Sequence, residues 1–162
     1  MREIVLKIAG AVILLIAAVG YGALNIKANR AHLRELEAIL RFLRHIRTNI
    51  EHLSRPLPEI YAGFSDAVLE ENGFLPALRR DGIRSAVGAV QWRLSDGELS
   101  VLTEFAEALG RGYREEQVSL CRYTEEVLGG ALEELQTSAP AQERLYRTIP
   151  VLLALSGILV LL

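Results

Sequence analysis

The chain has one cysteine and one tryptophan in 162 residues. A lone thiol, Cys121, forms no internal disulfide and excludes a cysteine-rich zinc site, so nothing marks an oxidising compartment. Strand signals are missing as well. Beyond residue 26 there is no sustained apolar–polar alternation and few β-branched residues, while the helix formers Leu, Ala, Glu and Arg dominate. No internal repeat or low-complexity run appears. The glycines of GRGY, residues 110–113, lack the Lys-Ser/Thr pair of a phosphate loop and follow a helical pattern instead of a strand.

Charge is absent at both ends. Residues 8–24, IAGAVILLIAAVGYGAL, lie between Lys7 and Lys27 and meet the lower length limit for a bilayer span. The rival reading is a secretory signal peptide, with Arg2 and Lys7 before the apolar run and Gly20-Tyr21-Gly22 as small residues for cleavage. Residues 149–162, IPVLLALSGILVLL, are uncharged in their side chains. As a helix they reach only ~21 Å, but a start at Leu145 gives ~27 Å with Arg147 snorkelling. The expectation is an N-terminal transmembrane helix in residues 1–26, a helical bundle over 27–144 and a C-terminal transmembrane helix over 145–162. Lys27, Arg30, Arg34, Arg144 and Arg147 sit on the middle segment against Arg2 and Lys7 outside it, which favours a cytoplasmic bundle.

The middle segment reads as all-α. Leu33, Leu36, Leu40, Leu43, Ile46, Ile50 and Leu53 repeat at spacings of three and four and predict a helix to about residue 53, ended by SRPLP. A second helix is predicted from near Pro58, placing Ile60, Tyr61, Phe64, Val68 and Leu69 on one face until Gly73. Short helical pieces follow at FLPALRR and RSAVGAVQWRL. Ser95 and Glu98 form a capping-box pattern that opens a helix carrying Leu99, Leu102, Phe105, Ala106 and Leu109. Gly110 and Gly112 then permit a sharp reversal into a long helix starting near Tyr113, with Val118, Cys121, Leu128, Leu132 and Leu135 on a seam and a kink or break at Pro140.

Candidate chemistry is sparse. His45 and His52, seven residues apart, are ~10 Å apart along a helix and read as solvated or interface histidines. Cys121 falls on the apolar seam, where an inert buried thiol is the plain reading. Glu115–Glu116, Glu125–Glu126 and Glu133–Glu134 are adjacent pairs that point about 100° apart on a helix, as solvated faces do. Trp92 reads as core. No catalytic residue, metal ligand or cofactor is expected, and no nucleic acid. Charge is polarised: residues 27–55 carry seven Lys/Arg against three Asp/Glu, and residues 95–143 three Arg against eleven Asp/Glu. Such faces close a bundle or steer a partner. A homo-oligomer is a separate expectation, tied to no particular residues. The reversal places Arg111, Tyr113 and Arg114 at an exposed tip, as candidate partner-docking residues.

The spans at both ends, LRELEAILRFLRHIRTNIEHLSRPLPEIYAGF, GFLPALRR, LGRGYREEQ and ERLYRTIPVLLALSGILVLL together resemble the stage III sporulation protein AB family of endospore-forming bacteria. The resemblance covers nearly the whole chain; Pro140 and Pro150 depart from it. It implies a helical domain similar to the platform proteins (F family) of type II secretion and type IV pilus machines. It implies work in the channel complex between mother cell and forespore, at the outer forespore membrane on the mother-cell side. The implied partners are other stage III sporulation proteins, among them the secretion-type ATPase stage III sporulation protein AA; contact with membrane lipid is read instead from the membrane-proximal cationic residues 27–55. It transfers no catalytic position. A membrane-anchored signalling or regulator-binding protein is the alternative from residues alone.

Overall fold

The structure, a computed structural model, describes the backbone of residues 2–53 and 55–161 and the side chains of residues 27–53 and 55–138. Seven helices follow one another: α1 (Arg2–Leu53), α2 (Leu57–Ala62), α3 (Ala67–Glu71), α4 (Phe74–Asp81), α5 (Ile83–Ala89), α6 (Asp96–Ala108) and α7 (Arg114–Leu161). The fold is all-α, with no strand among the described residues. Contacts divide the chain into Ala31–Leu135 as one compact unit and Met1–Arg30 with Gln136–Leu162 as another. The expected membrane spans, residues 8–24 and 145–162, lie outside the residues described to their side chains. Among the described residues, no helix is long and apolar enough to cross a membrane.

The core of the 31–135 unit forms around the second half of α1. Leu36, Ile39, Leu40, Phe42, Leu43 and Ile46 are buried to within 2% of complete, a stripe widened by Ala38 beyond the simple leucine repeat. The α1 helix stops at Leu53, one residue from Ser54 and two from Arg55, because Pro56 and Pro58 have no N–H to continue the ladder. Leu53 itself is 53% exposed, so the apolar stripe loses its cover at the last turn.

The single helix expected over residues 58–72 is two helices. Gly63 closes α2, and Asp66 caps α3 by accepting hydrogen bonds from the backbone of Val68 and Leu69. That local cap competes with helix continuation, and the break lets Phe64 and Leu69 both turn inward. The Arg41 guanidinium holds the other oxygen of Asp66 at 2.8–2.9 Å, tying α3 to α1. His45 is also structural, with its Nε2 3.0 Å from the carbonyl of Ile60.

The expected helix over residues 84–94 also shortens. The α5 helix ends at Ala89 and Val90 is extended, which leaves Trp92 off the helix. Trp92 still packs on the core: its ring centroid is 5.3 Å from that of Phe74, and its indole N–H donates to the Val87 carbonyl at 2.9 Å. Next, α6 opens on the capping box foreseen at Ser95 and Glu98, with both reciprocal bonds formed.

The long helix α7 presents Gln117, Cys121, Thr124 and Leu128 as its buried seam, with Leu132 and Leu135 packed partly against the core. Val118, expected on this seam, is only half-buried. Polar Gln117 and Thr124 take inward places because each is satisfied there, Thr124 by donating to Leu120 O at 2.9 Å and Gln117 by binding the preceding turn. Pro140 does not end this helix, which runs from Arg114 to Leu161 through both Pro140 and Pro150. A proline inside a helix costs about 3 kcal/mol, but helix on both sides of it can propagate across the lost bond.

Candidate docking surface

The reversal between α6 and α7 is fixed by its own side chains. Gly110 and Gly112 have φ values of 83° and 98°, left-handed conformations that a Cβ would strain. At Gly112 that Cβ would also strike the Glu116 carboxylate. Gln117, 7% exposed, accepts from Gly110 N–H at 2.8 Å and donates to the Arg111 carbonyl. The Glu116 carboxylate accepts from Tyr113 N–H at 3.0 Å, so the first acidic turn of α7 also answers its helix dipole.

The three docking candidates separate on this frame. Tyr113 is 81% exposed, the most exposed large apolar residue among those described. Among the described residues its side chain makes no hydrogen bond or ring contact, and the cap is supplied by Glu116 and Gln117 instead. Arg111 is exposed and makes no side-chain hydrogen bond or ion pair among the described residues. Arg114 is differently employed: its guanidinium donates to the Glu51 carbonyl, one of the open carbonyls at the end of α1.

This contact belongs to a network that the sequence reading did not single out. Arg122 reaches the Glu51 carboxylate at 2.8 Å, and Arg47 bridges Glu51 at 3.4 Å and Glu125 at 2.8 Å. Rising numbers on α1 meet falling numbers on α7, so the two helices run antiparallel here. Across this seam Arg47 faces Glu125 while Glu51 takes Arg114 and Arg122 of α7, and partly exposed pairs contribute only ~0–1 kcal/mol each. The Arg47–Glu51 spacing of four residues was the one local signal for the network. Beside it lies an open groove of about 410 Å³, lined by Glu51, Arg114, Glu115, Val118, Ser119 and Arg122.

The remaining titratable candidates sit in structural roles. His52 is exposed on the last turn of α1. Cys121 is fully buried, and burial first, then the neighbouring Glu125, pushes its thiol from 9.0 up to about 12. Burial likewise raises the Tyr61 phenol from 10.0 to about 12. Both groups are neutral when protonated and have folded values above their unfolded ones. Their contribution to stability is therefore whole below pH 9 and is lost as the pH climbs from 9 toward 12. We expect native protein to leave Cys121 unmodified by a maleimide at pH 7.5 and denatured protein to react fully; fast labelling of the native protein would contradict the packing of the seam. Because the thiol is buried on either side of a membrane, topology must be read from a cysteine placed at an exposed site such as Thr103.

Comparison with known families now bears on the whole chain. The family model for stage III sporulation protein AB matches residues 7–75 and 80–162. The chain belongs to this family. No curated protein matches it, and no solved structure does. Membership makes it a stage III sporulation protein and places it among the other stage III proteins in that developmental step. The break in the match, residues 76–79, falls inside α4 on the exposed side of Pro76 and Arg79 and the buried pair Ala77 and Leu78.

Proposed function

We propose that this stage III sporulation protein is a non-catalytic, membrane-anchored assembly component of the channel complex between mother cell and forespore. In this reading residues 1–26 and 145–162 anchor it in the outer forespore membrane. The helical unit faces the mother-cell cytoplasm and docks partners at the end where α1 stops and α7 begins. The secretion-type ATPase stage III sporulation protein AA is the first candidate partner.

The observation that carries the proposal is Tyr113, a large amphipathic ring left 81% exposed on a turn that Gln117 and Glu116 hold rigid. Rigid exposed Tyr and Arg side chains anchor interfaces because little conformational entropy is lost when a partner covers them. Leu53, also over half exposed, lies at the α1 end that Arg114 ties to this turn. Chemistry has no comparable support, since the buried thiol is held protonated and the acids nearest the turn, Glu116 and Glu51, are engaged in capping and pairing.

A photocrosslinking amino acid at position 113, introduced in sporulating cells, tests this. Stage III sporulation proteins should dominate the captured products, with little product from the same probe at Thr103 on α6. Equal capture at both positions, or capture of lipid alone at 113, would refute docking through this turn.

A further inference from the structure

Among the described residues, one exposed side of α7 carries a net negative charge and one exposed side of α1 a net positive one. On α7, Glu115, Ser119, Arg122, Tyr123, Glu126 and Gly130 share one exposed side, with Arg122 drawn to Glu51, Tyr123 62% exposed and Val127 at its edge 37% exposed. Glu115 and Glu126 make no ion pair among the described residues. On α1, Arg34, Arg41, Arg44 and Thr48 are exposed along one side, with half-buried Glu37 between them. Arg34 and Arg44 have no ion-pair partner among the described residues, and Arg41, paired with Asp66, keeps its side chain 48% exposed. The two strips match in length, ~22 Å from Glu115 to Gly130 and ~21 Å from Arg34 to Thr48.

Gly130 adds a steric argument. A glycine within a helix costs about 1 kcal/mol relative to alanine, yet a Cβ at Gly129 or Gly130 would meet nothing within 4 Å. Among the described residues, no contact uses the space these glycines leave. A helix from outside the chain could approach closely there.

We propose that the α7 outer face binds the α1 arginine strip of a second copy of this chain. The arginines of one copy lie against Glu115 and Glu126 of the next, and a guanidinium covers the Tyr123 ring. Such a contact is head-to-tail, because the two surfaces differ, so repetition gives a ring or a line of copies and not a closed pair.

The test uses full-length chains with two different tags, produced in the membranes of cells that make no other sporulation protein, and scores co-purification. Wild-type copies should capture one another. Arg34→Glu/Arg44→Glu copies should fail among themselves, and so should Glu115→Arg/Glu126→Arg copies, each by at least about tenfold. Mixing one of each should restore capture, because a reversed α1 then faces a reversed α7 and self-pairing is excluded on both sides. Gly130→Trp, which points into open space and leaves helicity intact, should abolish capture, whereas Gly130→Ala should leave the melting temperature unchanged or raised. The proposal is overturned by wild-type copies that do not co-purify in these cells, by reversed α1 copies that still capture one another, or by a mixture that fails to recover. Capture that appears only when anionic lipid or another sporulation protein is added overturns it too, by assigning the strips to that partner.

Discussion

Phe42→Ala is expected to destabilise the protein by about 3–5 kcal/mol, the largest effect of any single truncation in the core. Phe42 is completely buried, and its ring meets Phe64 and Phe74 at centroid distances of 5.3 Å and Tyr61 at 6.3 Å. It is the one ring that touches α2, the α2–α3 connection and α4 together. Its removal loses both the transfer energy and the contacts that neighbours on three separate segments cannot all recover by collapsing. A unit of this size has roughly 5–15 kcal/mol to lose, so the variant should be partly unfolded at growth temperature. The only tryptophan gives a direct probe, because Trp92 packs on Phe74, which packs on Phe42. Denaturant titration of the full-length chain in detergent, followed by Trp92 fluorescence, should show a large shift in midpoint with little change in slope. A loss below about 1 kcal/mol would mean that Phe42 is not the hub of this cluster.

Glu98→Ala should rank next, at about 2–3 kcal/mol, although Glu98 is neither large nor apolar. One carboxylate oxygen accepts from Ser95 N–H at 2.7 Å and lies 2.7 Å from His32 Nε2, joining the start of α6 to α1 with the residue 8% exposed. Truncation leaves a part-buried backbone donor and a part-buried imidazole without their acceptor, which costs more than the loss of an exposed cap. Glu98→Gln should fall between wild type and Ala, because the amide oxygen still closes the capping box while the charge beside His32 is gone. Denaturant midpoints of the three proteins, with His32→Ala in a double-mutant cycle, measure this order. Equal midpoints for Gln and Ala would show that the cap contributes nothing.

These two residues also mark what was legible in the sequence. The cap at Ser95 and Glu98 was readable because all its parts lie within four residues, and so was the end of α1, where two prolines follow Leu53. His32 as the second partner of Glu98 was not, since 66 residues separate them and no local pattern joins them. Glu35 is a similar case, a carboxylate 5% exposed that accepts from the backbone N–H of Arg93 at 2.8 Å. A buried acid on an otherwise apolar stripe breaks the sequence pattern until its distant donor is known. The split between α2 and α3 had a signal, Gly63 followed by Asp66, that the apolar spacing of Tyr61, Phe64 and Val68 outweighed. At the reversal between α6 and α7, exposure of Tyr113 followed from the two glycines before it. The part played by Arg114 depended on where α1 happened to stop.

The claim that matters most is that the chain works in sporulation by presenting a rigid surface for docking. Heat-resistant spores counted in cells whose only copy carries Arg111→Ala/Tyr113→Ala test it most directly. Both side chains are exposed, so the variant should reach the membrane at wild-type levels and melt within about 0.5 kcal/mol of wild type. Loss of an anchoring Tyr and Arg pair removes ~2 kcal/mol or more of binding energy. Spore counts should then fall more than about tenfold. Wild-type counts from a stable, fully expressed variant would contradict docking at this turn as the basis of the function.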